Sequence, residues 1–484
     1  MNIDEEILSR TSCLIGDEMV FSDSGEMIQV DNPATMGIIG HVPNCGKEET
    51  DRAISIAADV FPAWRSRTAL ERANIMLSWY NLIMENQEGL ARLMTLEQGK
   101  PLKEARGEIA FGASFIRWFA EEARRVYGEI VPPPAVNKRI HITKEPVGVV
   151  GIITPWNFPM SMIARKVGPA MAVGCPSVIK PASQTPFSAL AMARLAQEAG
   201  VPAGVINVIT GDSRAIGGQL TGNPIVRKVS FTGSTRVGKV LLQQCAGSVK
   251  KVSMELGGNA PFIVFGDADI DKAIEGAMLS KYRNSGQTCV CTNRFYVQSN
   301  IYDRFLTKFR QAVSSLKVGD GLEEGVSQGP LIDSNAIKHV SEQIEDGLSK
   351  GARLVIGGKR HSLGRNYFEP TILANVTQDM NVAHEETFGP LAPVFEFETE
   401  KEVISLANDT EYGLAAYIYT SDINRSFRVS EALEYGLIGV NDGHVSTCEA
   451  PFGGIKESGL GREGSRHGID DYTEIKYTSF NIDM

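Results

Sequence analysis

Residues 146–164 run Pro146-Val147-Gly148-Val149-Val150-Gly151-Ile152-Ile153-Thr154-Pro155-Trp156-Asn157-Phe158-Pro159-Met160-Ser161-Met162-Ile163-Ala164, the longest uncharged stretch in the chain. Its length suits a membrane span. Pro155, Asn157 and Pro159 near its middle argue instead for a strand, a loop and a helix. The same order repeats through residue 256. Apolar runs at Val147–Ile153, Ser177–Ile179, Val205–Ile209, Val226–Phe231 and Lys251–Met254 alternate with helix-like segments such as Phe187–Ala199 and Thr235–Ala246. Alternation of this kind implies crossover connections and a parallel sheet covered on both faces. Asn157, Lys180, Gly211, Gly233 with Ser234, and Glu255 each follow one of these strands. Ligands of open α/β sheets bind beyond the carboxyl ends of the strands, so these positions outline a site.

Outward from that unit, a second α/β unit starts near Asn259 with Pro261–Phe265 as its first strand, and it includes Cys289. The first 120 or so residues are expected to be mostly helical, as in Glu48–Arg67 and Ala69–Asn86. The expected division is 1–123 with 146–258 as a cofactor-binding domain, 259–455 as a catalytic domain, and 124–145 with 456–484 as a small β element. The two pieces of that element alternate weakly, and they pair either with each other or across a subunit boundary.

A length of 484 residues calls for two or three domains. With 43% hydrophobic and 22% charged residues the chain is globular, and a net charge of −10 argues against a nucleic-acid partner. Seven cysteines without metal-ligand spacing suit a reducing cytosol and predict no metal. The acidic start Met1-Asn2-Ile3-Asp4-Glu5-Glu6 is no secretory signal, so a cytoplasmic protein without a membrane partner is expected.

Asn284-Ser285-Gly286-Gln287-Thr288-Cys289-Val290-Cys291-Thr292-Asn293-Arg294 places a thiol in a polar turn before a strand-like run from Val290 to Val297. A thiolate there is a candidate nucleophile; the alternative is a small packing residue. Phe231-Thr232-Gly233-Ser234-Thr235 closes a strand and opens a helix, which suits a pyrophosphate or an ordinary tight turn. Lys180 and Ser183 offer a cation and a hydroxyl where an acidic residue holds the ribose of NAD. They suit the 2′-phosphate of NADP, or else form a surface lysine and a helix N-cap. Glu255 in Met254-Glu255-Leu256-Gly257-Gly258 lies among apolar residues that raise a carboxyl pKa toward general-base duty; an ion-paired structural glutamate is the other reading. Asn157, held between prolines, either donates to an oxyanion with the Cys289 N–H or satisfies its own turn. The seven histidines show no cysteine-protease arrangement.

Together with Glu385-Glu386-Thr387-Phe388-Gly389-Pro390, these motifs resemble the aldehyde dehydrogenase superfamily over nearly the whole chain. The resemblance implies an α/β fold with a Rossmann-type cofactor domain, a second α/β catalytic domain and a small β oligomerisation element in a homodimer or homotetramer. It implies Cys289 as nucleophile, Glu255 as the base that activates water, and Asn157 at the oxyanion. NADP, with NAD as the weaker alternative, would be held by Thr154, Trp156, Asn157, Lys180, Ser183, Gly211, Gly233, Ser234, Thr235, Leu256, Glu386 and Phe388. The position of Ser183 is often glutamate in NAD-preferring members. The words around Arg165, Arg283 and Pro451-Phe452-Gly453-Gly454 resemble the branch that oxidises succinate semialdehyde, in which Arg165, Arg283 and Ser446 would bind the far carboxylate. Two guanidiniums favour a small carboxylate-bearing aldehyde and would repel a cationic amino-aldehyde. Glutarate semialdehyde and 2-oxoglutarate semialdehyde are the runner-up substrates, and a catalytically inactive binding or structural relative is the reading from another class. His444 departs from the branch pattern. Cys291 is either packing or, as in some members with this Cys-x-Cys pair, a redox partner of Cys289; along a regular strand both side chains would share a face.

Overall fold

The computed structural model describes residues 3–8 and 12–483. Met1, Asn2, residues 9–11 and Met484, which fall within the expected outer boundaries, lie outside the described residues. The opening stretch folds as a buried strand, Val149–Ile153, a loop, and the helix Ser161–Val173. Every residue of that helix is buried, because it runs between the sheet and the long helix Leu102–Glu122; Gly174 ends it in the left-handed conformation. No helix among the described residues is long and apolar enough to cross a membrane.

Val149–Ile153 is the centre of an eight-stranded sheet. Ser177–Lys180 and Ile206–Val208 add in parallel on one side, and Val226–Thr232 and Lys251–Glu255 on the other. Growth of the sheet therefore changes direction between Val149–Ile153 and Val226–Thr232, and a crevice opens there at the carboxyl ends. The edges are antiparallel and come from elsewhere in the chain. Cys13–Ile15 and Glu18–Val20 cover one edge, and Gly459–Leu460 lies against Met254 and Glu255 on the other. The first 120 residues are thus not purely helical, and part of the segment expected in the small β element closes the first sheet instead.

The second sheet has seven strands and starts at Ala260–Val264, flanked in parallel by Thr292–Gln298 and Ala415–Tyr419. Only its edge strand Arg353–Ile356 is antiparallel to its neighbour, Thr371–Ala374. Outside both sheets, Thr473–Asn481 pairs antiparallel with Lys138–Pro146, which also pairs with Glu129–Val131. The two weakly alternating pieces do pair with each other. Ile130, Ile475, Tyr477 and Phe480 on this small sheet remain exposed.

Candidate active site

The helix Ile270–Tyr282 ends in a turn whose Asn284 and Ser285 have φ of 51° and 58°. Left-handed conformations at non-glycine residues cost of order 1–3 kcal/mol each and persist only where the surroundings over-determine them. Here they do. The Asn284 N–H donates to the Glu104 carboxylate (2.7 Å), its Nδ2 donates to the Asn157 carbonyl (3.0 Å), and the Ser285 hydroxyl donates to the Gly329 carbonyl (3.0 Å). Gln287 Oε1 accepts from the Ile332 N–H at 2.9 Å. The strand begins only at Thr292, not at Val290, so Cys289 stands in a turn ahead of the strand's amino end. A side chain at Gly258 would meet the Cys289 carbonyl at 2.4 Å; the glycine pair after Glu255 brings the two sheets' segments together here.

Cys289 borders two cavities, one of about 270 Å³ and one of about 630 Å³. Burial pushes its thiol up to about 12, against the pull of Arg165, with Glu386 and Glu255 adding to the rise. The Cys289 N–H has no acceptor among the described residues. Asn157 gives one Nδ2 hydrogen to the Gln287 carbonyl at 3.0 Å, which orients the amide and leaves the other hydrogen free. Both donors are thus available to a developing oxyanion.

Glu255 ends its strand behind these cavities, lines neither, and has no hydrogen-bond partner at either carboxylate oxygen among the described residues. Burial first, then repulsion from Glu463, holds its carboxyl well above the ordinary range. Glu463 was not foreseen as a functional residue. It comes from the carboxy-terminal segment, pairs closely with Lys166, and lies 2.8 Å from Arg165 Nε. Burial pushes Glu463 up, but Lys166 and Arg165 outweigh it and hold it below its usual range. No local signal marked it, because its partners lie almost three hundred residues away in sequence.

The larger cavity follows the crevice of the first sheet. Thr154, Trp156, Asn157, Lys180, Ser183, Gly233, Ser234, Leu256, Glu386 and Phe388 line it. The Ser234 hydroxyl caps the helix Thr235–Ala246, and Trp156 meets Phe388 edge-on at 5.5 Å. Lys180 is buried, has no carboxylate within ion-pair distance among the described residues, and donates only to the Pro181 carbonyl; burial lowers it to about 8. A buried cation without a counterion fits an anionic ligand. Glu386 accepts from the Gly258 N–H at 3.0 Å, and burial raises it to about 7.

Two expected members do not reach this cavity. Gly211 (φ 144°) abuts the Cys45 backbone, 2.0 Å from where its Cβ would stand, so it serves close packing. Thr235 spends its hydroxyl on the Gly257 N–H and the Glu457 carbonyl. Ser183 is not a helix N-cap either, since the next helix begins at Pro186 behind Thr185.

Arg165, Arg283 and Ser446 all line the smaller cavity, with His444. Arg165 stacks on Phe452 at 3.8 Å, its Nε contact with Glu463 makes no hydrogen bond, and neither Nε nor Nη2 has a hydrogen-bond partner among the described residues. Arg283 lies over Phe158 at 5.4 Å with no carboxylate partner among the described residues. Cys291 departs from expectation. It stands in the turn, not on a strand face shared with Cys289, and its sulfur meets Lys281 Nζ at 3.4 Å.

A thiol between a crevice that fits a dinucleotide and a cavity with two guanidiniums defines a class. The chain belongs to the aldehyde dehydrogenase family, whose model matches residues 20–478. It is 60% identical to the NADP-dependent succinate-semialdehyde dehydrogenase of Escherichia coli (strain K12) over the full length of both. It is 59% identical to a 3-sulfolactaldehyde dehydrogenase of Pseudomonas putida (99% of this chain, 98% of the relative) and 58% to a glutarate-semialdehyde dehydrogenase of Pseudomonas aeruginosa (99% of each). The crystal structure of succinate-semialdehyde dehydrogenase from Burkholderia pseudomallei superposes with a TM-score of 0.97 at 59% identity, covering 98% of each chain. The chain is an aldehyde dehydrogenase.

Proposed function

We propose that this aldehyde dehydrogenase oxidises succinate semialdehyde to succinate with NADP, in the cytoplasm. The observation that carries the substrate reading is Arg283, a guanidinium that lines the cavity of Cys289 and has no carboxylate partner within ion-pair distance among the described residues. With Ser446 and the unpartnered Nη2 of Arg165 it suits the far carboxylate of a short aldehyde. Buried Lys180 beside Ser183 supports NADP over NAD.

In this reading the Cys289 thiol gives its proton to solvent in the cavity, and the thiolate adds to the aldehyde carbon, its sulfur forming the new bond as the carbonyl π bond becomes an oxyanion. Asn157 Nδ2 and the Cys289 N–H hold the oxyanion. The nicotinamide of a cofactor in the larger cavity supplies the hydride acceptor. Collapse leaves a thioester on Cys289, and Glu255 takes a proton from the water that hydrolyses it. Glu463 near Glu255 raises the carboxyl further, and Arg165 and Lys166 oppose it, so these residues set how readily Glu255 takes up and releases that proton.

The first sheet then forms the cofactor domain and the second the catalytic domain. The exposed apolar residues Ile130, Ile475, Tyr477 and Phe480 support a homodimer or homotetramer through the small sheet. Glutarate semialdehyde is the second reading, favoured by the name of the Pseudomonas aeruginosa relative.

Initial rates with succinate semialdehyde, glutarate semialdehyde and butanal, each with NADP and NAD, test this. The expected result is kcat/KM highest for succinate semialdehyde with NADP and at least about tenfold lower for butanal. Equal rates for butanal and the semialdehydes would overturn the substrate reading, and a preference for NAD would overturn the cofactor reading.

A further inference from the structure

The loop after strand Leu437–Val440 contains Asp442, His444 and Ser446, and the last two line the cavity of Cys289. The His444 backbone N–H donates to Asp442 Oδ1 at 2.8 Å, but its imidazole has no hydrogen bond or ion pair among the described residues. Most other ionisable groups facing this space are already committed. Lys100 is paired with Glu108, and the charge of Arg165 is balanced by Glu463 beside its Nε, while its Nη2 stays open to the cavity. Glu104 accepts from the Asn284 N–H, and its burial favours the neutral acid. Cys289 is a thiol. Arg283 and His444 remain, with Asp442 on the solvent side of the loop.

We propose that His444 is a specificity-determining residue, which shares the far carboxylate of the substrate with Arg283 and Ser446 and does so in its protonated form. This rests on the reading of the cavity as the site of an anionic aldehyde. The physical basis is reciprocal. In the free protein, burial and then the Arg283 guanidinium favour the neutral imidazole, with Asp442 opposing them. A carboxylate between Arg283 and His444 cancels that repulsion, so the imidazolium becomes the favoured form and binding takes up a proton. The sign follows. Affinity for an anionic aldehyde is constant below the free protein's His444 pKa, falls as pH rises toward the pKa of the complex, and is constant again above it. A neutral aldehyde shows no such slope. His444 is exposed enough for solvent to screen the interaction, so the effect is about three- to tenfold in KM.

The test is KM between pH 5.5 and 8.5 at saturating NADP, for succinate semialdehyde and for propanal, in wild type, His444→Gln and His444→Lys. In wild type, the ratio of KM for succinate semialdehyde to KM for propanal, which cancels any pH dependence of the shared thioester step, is expected to rise about three- to tenfold across the range. His444→Gln should hold the high-pH value throughout, His444→Lys the low-pH value, with kcat little changed in both. Identical pH profiles in wild type and His444→Gln, in an enzyme that still prefers succinate semialdehyde to propanal, would overturn the role of His444 alone. No preference for succinate semialdehyde at any pH in wild type would instead overturn the anionic-substrate reading on which it rests.

Discussion

Along Val149–Ile153 the chain leaves its sheet at the carboxyl end, and Thr154 to Asn157 follow at once in the crevice; Lys180 as the last residue of its strand and Gly233 just after its own reach the same crevice. At Thr292–Gln298 the order is reversed, because Cys289 comes before its strand, in a turn with two left-handed residues. The first arrangement follows from topology and repeats wherever a parallel sheet changes direction. The second has no general rule behind it. It depends on particular partners, Glu104, Asn157, Gly329 and Ile332, drawn from distant parts of the chain.

If the two regions divide the work in this way, substitutions should separate them. Cys289→Ala has the largest expected effect: loss of aldehyde oxidation by about a thousandfold or more, with NADP affinity within a few-fold of wild type by fluorescence titration. A large loss of NADP affinity would mean that the turn also builds the crevice. Next is Glu255→Gln, which should leave a burst of reduced cofactor followed by slow turnover in stopped-flow. In wild type the slow phase should speed up as pH rises, since a carboxyl held above its ordinary range must lose its proton to act as a base.

Arg283→Ala sharpens the substrate side. A charge-assisted hydrogen bond is worth roughly 1.5–3 kcal/mol, so kcat/KM for succinate semialdehyde should fall about ten- to a hundredfold and that for butanal much less. Equal losses would assign Arg283 to holding the turn. On the crevice side, Ser183→Glu should lower the NADP-to-NAD ratio of kcat/KM about tenfold. In wild type that ratio should decline as pH rises past about 8, where Lys180 loses its charge. The smallest effect is expected for Cys291→Ala, with kcat within about twofold and peroxide inactivation recovered by dithiothreitol as in wild type, because the thiol is held by Lys281.

The same contrast governs how much was legible in the sequence. The five parallel strands of the first unit were found within a residue or two, since buried strands leave unbroken apolar runs. Of the positions marked at the strand ends, Asn157, Lys180 and Gly233 line the crevice cavity. Gly211 obeyed the same rule and still missed the cavity, because the Cys45 segment packs over it, and that segment is remote in sequence. Cys289 was reached by its motif, but the strand behind it was started too early; alternation cannot show that two residues take left-handed backbone. Glu463 carries no local mark for the same reason that Gly211 misses the cavity: its partners, Arg165 and Lys166, lie on the helix Ser161–Val173, remote in sequence.

The short strand Gly459–Leu460 gives the end of this chain an unusual burden. Chain ends ordinarily tolerate trimming and fusion because little depends on them. Here one continuous length first clamps the strand that ends in Glu255, then delivers Glu463 behind it, and finally crosses to Lys138–Pro146 as Thr473–Asn481. Fraying from the outer sheet inward would therefore reach the back of Glu255, the base of the proposed mechanism, before it reached any residue proposed to touch substrate. An enzyme damaged in that way would still trap an aldehyde on its thiol and would fail at letting the acid go.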